Sequence, residues 1–328
     1  MTAAACSSSD SSLAGGSLVR LRWQFRAATV RGRLDVHGPG RPRVRTALER
    51  HFSDRNPRQL ERRYLEYQRR RTLVHRWLRQ GIPHADRVVQ VEGLRHLEEA
   101  ISGGTGAILA SAHFGHGRLI KPVLGVHGWP ALLVGEQRSH MPVSRLDGRR
   151  ARGEPTPPRW PQIASADLPV TLNLRPHLAA LQENRPLIIM VDGRSATSLT
   201  DVMVLSIGVP LAPGAVRIAR AARAPVLPTF AIDEGTLRDP LAIRLVIHAP
   251  LALQSSGDGA ADVLENLKRF AAVYGEELDR NPHNFNWRYV DPESGRYGPP
   301  RDPQSREPGH EEPPLIAGSE RVRPRHGP

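Results

Sequence analysis

The stretch Gly106-Ala-Ile-Leu-Ala-Ser-Ala-His113, closed by the turn Gly115-His116-Gly117, decides the fold. It is too short for a helix of ordinary length and is punctuated by glycine at both ends, so it reads as a buried strand. Downstream the pattern alternates. Helices are predicted over about 118 to 126, 176 to 183, 214 to 223 and 260 to 278, and strands over 131 to 135, 187 to 191, 226 to 232 and 241 to 247. A Pro/Arg/Gly-rich loop separates the two halves, from about 139 to 170. Upstream, Asn56-Pro57 reads as a helix cap followed by proline at the first helical position. Leu60, Tyr64, Tyr67, Val74 and Leu78 then make one apolar stripe, and a second short helix runs from Leu94 to Ile101. The expectation is an α/β fold: N-terminal helices packed on a mostly parallel sheet, with chemistry at the carboxyl ends of the strands. Residues 1–17 read as a disordered leader, 18–291 as one domain and 292–328 as a disordered tail.

Composition narrows the possible partners. The chain has 328 residues and a formal charge of +13; of its 46 basic residues only Lys121 and Lys268 are lysine. Such a surface is drawn to polyanions, either nucleic acid or an anionic lipid leaflet. Aromatic residues are only 5% of the chain, which leaves few platforms for base stacking, and no finger or recognition-helix motif occurs. Nucleic acid is therefore not an expected partner. The arginines at 58, 62, 63, 69, 70, 71, 76 and 79 read as a solvated helix face, with lipid headgroup contact as the sharper alternative. Cys6 is the single cysteine, so an internal disulfide and a cysteine-based metal site are both excluded. No 18-residue apolar run and no signal-peptide pattern occurs, which predicts no spanning helix; a protein of this kind working at a membrane would lie on its surface.

The strand ends collect His113, His116 and Arg118, then Glu136 and Arg138, then Asp192 and Arg194, then Asp233 and Glu234. An imidazole among carboxylates and arginines suits a general base acting on a hydroxyl beside an anion. At these residues the chain resembles a family. Val91-Glu-Gly-Leu-Arg-His-Leu-Glu-Glu-Ala-Ile101 followed by Gly106-Ala-Ile-Leu-Ala-Ser-Ala-His-Phe-Gly115 is similar to the lead-in and first catalytic block of the bacterial lipid A biosynthesis (lauroyl/myristoyl) acyltransferases, within the lysophospholipid acyltransferase superfamily. The similarity continues through Asp192-Gly-Arg194, Gly208-Val-Pro210, Pro213-Gly214 and Ala224-Pro-Val-Leu-Pro228 to Asn281-Pro-His-Asn-Phe-Asn-Trp287, covering about 45 to 290 in order.

The resemblance implies a glycerolipid acyltransferase-like fold. It also implies acyl transfer from an acyl-carrier-protein or coenzyme A thioester to a lipid or glycolipid hydroxyl, with no cofactor and no metal. The setting it implies is the cytoplasmic face of the inner membrane of a bacterium, with the protein bound peripherally to an anionic surface. His113 matches the family's catalytic histidine, the general base. The family places an acid after four intervening residues, and here, following Phe114-Gly-His-Gly117, that position is Arg118. An arginine cannot accept the ring's N–H, so three readings stand. Another carboxylate, Glu136 or Asp192, takes the acid's role while Arg118 grips an anionic part of the substrate; or acyl transfer is weak or altered; or the chain is a catalytically silent lipid- or partner-binding relative. Asp192-Gly-Arg194 resembles the superfamily's phosphate-holding block, where a guanidinium matches a phosphate bidentately. Arg138 reads as substrate-binding or as a surface charge, and His116 as a loop residue. Gly208 and Pro210 shape a loop beside the acceptor and acyl chain, or simply punctuate the fold.

Overall fold

The computed structural model describes residues 9–34, 41–79, 82, 84–135, 168, 169, 171, 173–192 and 198–298. Its helices are α1 (Ser9–Leu34), α2 (Arg41–His51), α3 (Pro57–Arg79), α4 (Ala85–Val88), α5 (Leu94–Ser102), α6 (Ile120–Val126), α7 (Arg175–Gln182), α8 (Gly214–Ala222) and α9 (Gly259–Arg280). Its strands are β1 (Val89–Glu92), β2 (Ala107–Ser111), β3 (Leu132–Gly135), β4 (Leu168–Pro169), β5 (Pro186–Met190), β6 (Thr200–Val204), β7 (Ile207–Leu211), β8 (Val226–Asp233) and β9 (Ile243–Ile247). Seven strands form one sheet in the order β1-β9-β8-β2-β5-β3-β4, and all neighbours are parallel except β8 and β9. No helix separates β8 from β9, so the chain returns directly and antiparallel. The expected α/β architecture with a mostly parallel sheet is what the chain forms.

Both faces of the sheet are covered, as parallel sheets require. Ile108, Ala110, Leu187, Ile189 and Phe230 point into one apolar layer, while Leu109, Ile188, Leu227 and Ala231 point into the other. Burying each of the larger aliphatic side chains contributes about 1.5–3 kcal/mol, which is why so short a run as β2 holds the centre. Helix α3 starts where the sequence places it, because the Asn56 side chain accepts from the Arg58 and Gln59 backbone N–H groups at 3.1 and 3.2 Å. Helix α1 lies along α3 with Phe25, Ala28 and Thr29 buried. A Cβ on Gly32 would come within 2.6 Å of the Glu66 backbone, so glycine sets how closely the two helices approach.

Several expectations change here. Helix α1 begins at Ser9, inside the stretch read as a leader; its packing on α3, not its composition, gives it a place. Gly208 and Pro210 lie in strand β7, not in a loop. The alternation of buried Ile207, Val209 and Leu211 builds an antiparallel hairpin with β6. Ordered backbone extends past 291 to Gly298, where Tyr297 N–H donates to the Gly208 carbonyl at 2.8 Å. Of the predicted loop from 139 to 170, all but 168 and 169 lies outside the described residues, as do 1–8 and 299–328.

Arg70 also departs from the solvated helix face assigned to it. Its side chain is 1% exposed and ion-pairs with the equally buried Asp233 at the end of β8, Nη2 to Oδ1 at 2.6 Å and Nε to Oδ2 at 3.1 Å. Burial alone would raise the Asp233 carboxyl; the Arg70 guanidinium and the hydrogen bonds from His116 and Arg70 outweigh it and hold the group well below the ordinary carboxylate range. Replacing Arg70 by Met strands a charge in the core and is expected to cost about 3–5 kcal/mol in chemical denaturation at neutral pH. Because the folded-state pKa of Asp233 is depressed, the ion pair's contribution is present above the unfolded value of about 3.9 and is lost as the pH falls below it. The gap between wild type and Arg70→Met therefore narrows in acid.

Candidate functional site

The run following β2 turns sharply at the carboxyl edge of the sheet. Phe114 is fully buried and packs edge-on against Phe230 and Tyr274. Gly115 adopts φ +60°, and a Cβ there would meet the Ala231 carbonyl at 2.1 Å, so only glycine lets the loop lie against β8. The loop is then tied down from three sides. Gly115 N–H donates to the Asn284 carbonyl, His116 N–H donates to the Ala231 carbonyl, and the Tyr67 hydroxyl donates to the Gly115 carbonyl at 2.7 Å. The Tyr67 pKa is raised by burial, so the phenol stays a neutral donor.

These ties leave His113 at the surface of the turn with its side chain 53% exposed, beside an Asp192 side chain only 1% exposed. Parallel pairing sets Ser111 of β2 opposite Met190 of β5, and the next bond, Val191 N–H to the Ser111 carbonyl at 2.8 Å, carries the register one step further. Asp192 is thereby placed where it accepts from both the backbone and the ring of His113. The His113 N–H lies 2.8 and 3.0 Å from its two oxygens, and Nδ1 lies 2.9 Å from Oδ1. In the neutral ring this contact makes Nδ1 the protonated nitrogen and leaves the lone pair on Nε2. Tyr274 stands close behind; its hydroxyl pKa is raised well above 10.0, by burial first and then by the Asp192 charge.

A second His–Asp pair lies beneath the first. His116 is fully buried and donates from Nε2 to Asp233 Oδ2 at 3.0 Å, completing a line Arg70–Asp233–His116 from α3 to the loop. The His116 ring, read from sequence as a loop residue, thus braces the turn from inside. Asn284 accepts from Asp233 N–H and donates to its carbonyl, and His283 Nε2 bonds the same carbonyl at 2.8 Å. The sequence places Tyr67 on the apolar stripe of α3 and Arg70 on its solvated face, and gives His283 and Asn284 no site role; the structure brings all four to this turn. Asn281, His283 and Asn284 are buried, and buried polar groups need partners, a constraint that becomes visible only once the fold shows the burial.

Of the predicted site residues, His113 and Asp192 are in contact. Arg118 is exposed on the short 3-10 turn Gly117–Leu119 that follows. Strand β7 ends beside the pair, since Ala212 N–H donates to the Val191 carbonyl at 2.6 Å; Pro210 lies near that end, while Gly208 lies further back, against residues 295–297. Glu136, Arg138 and Arg194 lie outside the described residues. Glu234, the other carboxylate at the β8 end, pairs with Arg244 at 2.8 Å. Among the described residues no group of three or more His, Cys, Asp or Glu side chains could hold a metal ion, and no helix is long and apolar enough to cross a membrane. No protein-family model matches the chain, and no curated protein matches it.

Burial lowers the His283 pKa from 6.5 to about 4, aided by the Arg63 charge. Its neutral form is thus favoured by folding: the stabilisation is whole above pH 6.5, declines as pH falls and is gone near pH 4. Over that interval the unfolding free energy is expected to drop by about 3 kcal/mol from this residue. His283→Gln should flatten that part of the profile in urea titrations.

Proposed function

We propose that this chain is an acyltransferase that moves a fatty acyl group from a carrier-protein or coenzyme A thioester to a lipid or glycolipid hydroxyl. The observation that carries the reading is the pair itself: a half-exposed imidazole held through Nδ1 by a buried carboxylate 2.9 Å away. It supports the reading of Arg118 in which another carboxylate takes the acid's role: Asp192, in the turn after β5, meets the ring where the resembled family uses an acid beyond its histidine. His113 Nε2 takes the proton of the acceptor hydroxyl as its oxygen attacks the thioester carbonyl. The tetrahedral intermediate collapses, the C–S bond breaks, and the imidazolium returns the proton to the leaving sulfur. Asp192 steadies the imidazolium between those two transfers. Arg118, exposed five residues beyond His113, is suited to an anionic part of the donor or acceptor.

The experiment is to incubate the purified chain with acyl-carrier and acyl-coenzyme A thioesters and membrane lipid extract, following thioester loss and acylated product. His113→Ala should lower transfer by about 10²–10⁴-fold without unfolding the chain. Asp192→Asn should have an effect of similar size, because it changes the tautomer rather than the packing. Arg118→Glu should lower activity if Arg118 grips substrate; a gain would remove that role. No His113-dependent thioester loss with any acceptor would sink the reading, and would leave a silent lipid-binding protein as the better one.

A further inference from the structure

Helix α1 has two apolar stripes, and α3 covers only one of them. The buried stripe includes Phe25, Ala28 and Gly32. On the opposite side Val19, Trp23, Val30 and Leu34 are 56, 65, 40 and 71% exposed. At 100° per residue these four fall within an arc of about 60°, so they form a single outward ridge. Arginine borders it on both sides. Arg22 and Arg26 lie along one flank and Arg20 and Arg31 along the other, all four exposed. The Arg26 guanidinium leans over the Trp23 ring at 5.8 Å. Asp10 is the only acidic residue in the helix, so α1 itself does not offset the positive charge.

We infer that this outer face of α1 docks on an anionic lipid bilayer, with Trp23 and its apolar neighbours entering the interface and the flanking arginines meeting lipid phosphates. The charge decides the occupant. An apolar ridge alone fits a second copy of the chain equally well, but two such helices face to face would bring eight like charges together, whereas an anionic leaflet neutralises them. Tryptophan beside arginine, with an aliphatic ridge, is the composition that lies in the plane of a membrane. The inference deepens the acyl-transfer reading, which supplies its purpose, but binding is measured without turnover.

The test uses the full chain and vesicles of phosphatidylcholine, alone or mixed in equal parts with phosphatidylglycerol. The chain should sediment with the mixed vesicles, and added salt should weaken the binding. Val19→Gln/Leu34→Gln and Arg20→Gln/Arg31→Gln should each weaken it by about tenfold or more, while His113→Ala binds as wild type does. Lipids brominated on the acyl chain should quench tryptophan fluorescence, and most of that quenching should vanish in Trp23→Phe. Either double variant binding as tightly as wild type, or quenching that survives in Trp23→Phe, would overturn the inference. So would lipid-free dimers that the Val19→Gln/Leu34→Gln variant abolishes, since the ridge would then belong to a second copy. Vesicle binding that meets these expectations without thioester cleavage would sink acyl transfer and leave the docking face standing.

Discussion

A buried carboxylate at the end of β8 is the point on which the rest of the molecule turns. Asp233 takes the Arg70 guanidinium from α3, the His116 ring from the turn after β2, and the Gly235 backbone N–H. Taking such ions out of water is costly, and the cost is met only while all the partners are in place. The pairing therefore specifies more than it stabilises. It fixes where α3 sits against the sheet and where the turn bearing His113 can lie. Around it, Tyr67, Asn284 and His283 satisfy the remaining backbone groups, so the turn has few ways to relax.

The two His–Asp pairs do different work although their chemistry is alike. His116 and Asp233 are both sealed from solvent and joined to an arginine, which makes them a brace. His113 and Asp192 share the geometry, but the ring reaches solvent and the carboxylate does not. A buried acceptor beside a half-exposed ring fixes the ring's orientation at the surface of the turn. The loop between them is only Phe114 and Gly115, so stiffness at one pair is passed directly to the other.

Much of the architecture was legible because it is periodic. The apolar runs that become β2, β5 and β8 and the stripe of α3 announce themselves in the chain, and Asn56-Pro57 marks a helix start to the residue. The failures have a common cause in tertiary partners that a linear reading cannot see. Arg70 looks like any other arginine of α3 until Asp233 is placed against it. Helix α1 has apolar residues on two sides, which blurs its pattern, and only α3 shows which side faces inward. Gly208 and Pro210 suggested a loop because glycine and proline usually do, yet the buried alternation around them makes a strand. At the candidate site, His113 stood out by its place at a strand end. Its partner was one of two carboxylates that the sequence left open, because 79 positions separate them along the chain.

That separation has a consequence for how the molecule comes together. His113 and Asp192 meet only through the alignment of β2 with β5, and a slip of one residue between those strands would turn one of the two side chains to the opposite layer. No segment shorter than the span from β2 to the turn after β5 contains the pair, so its geometry depends on two central strands standing in step.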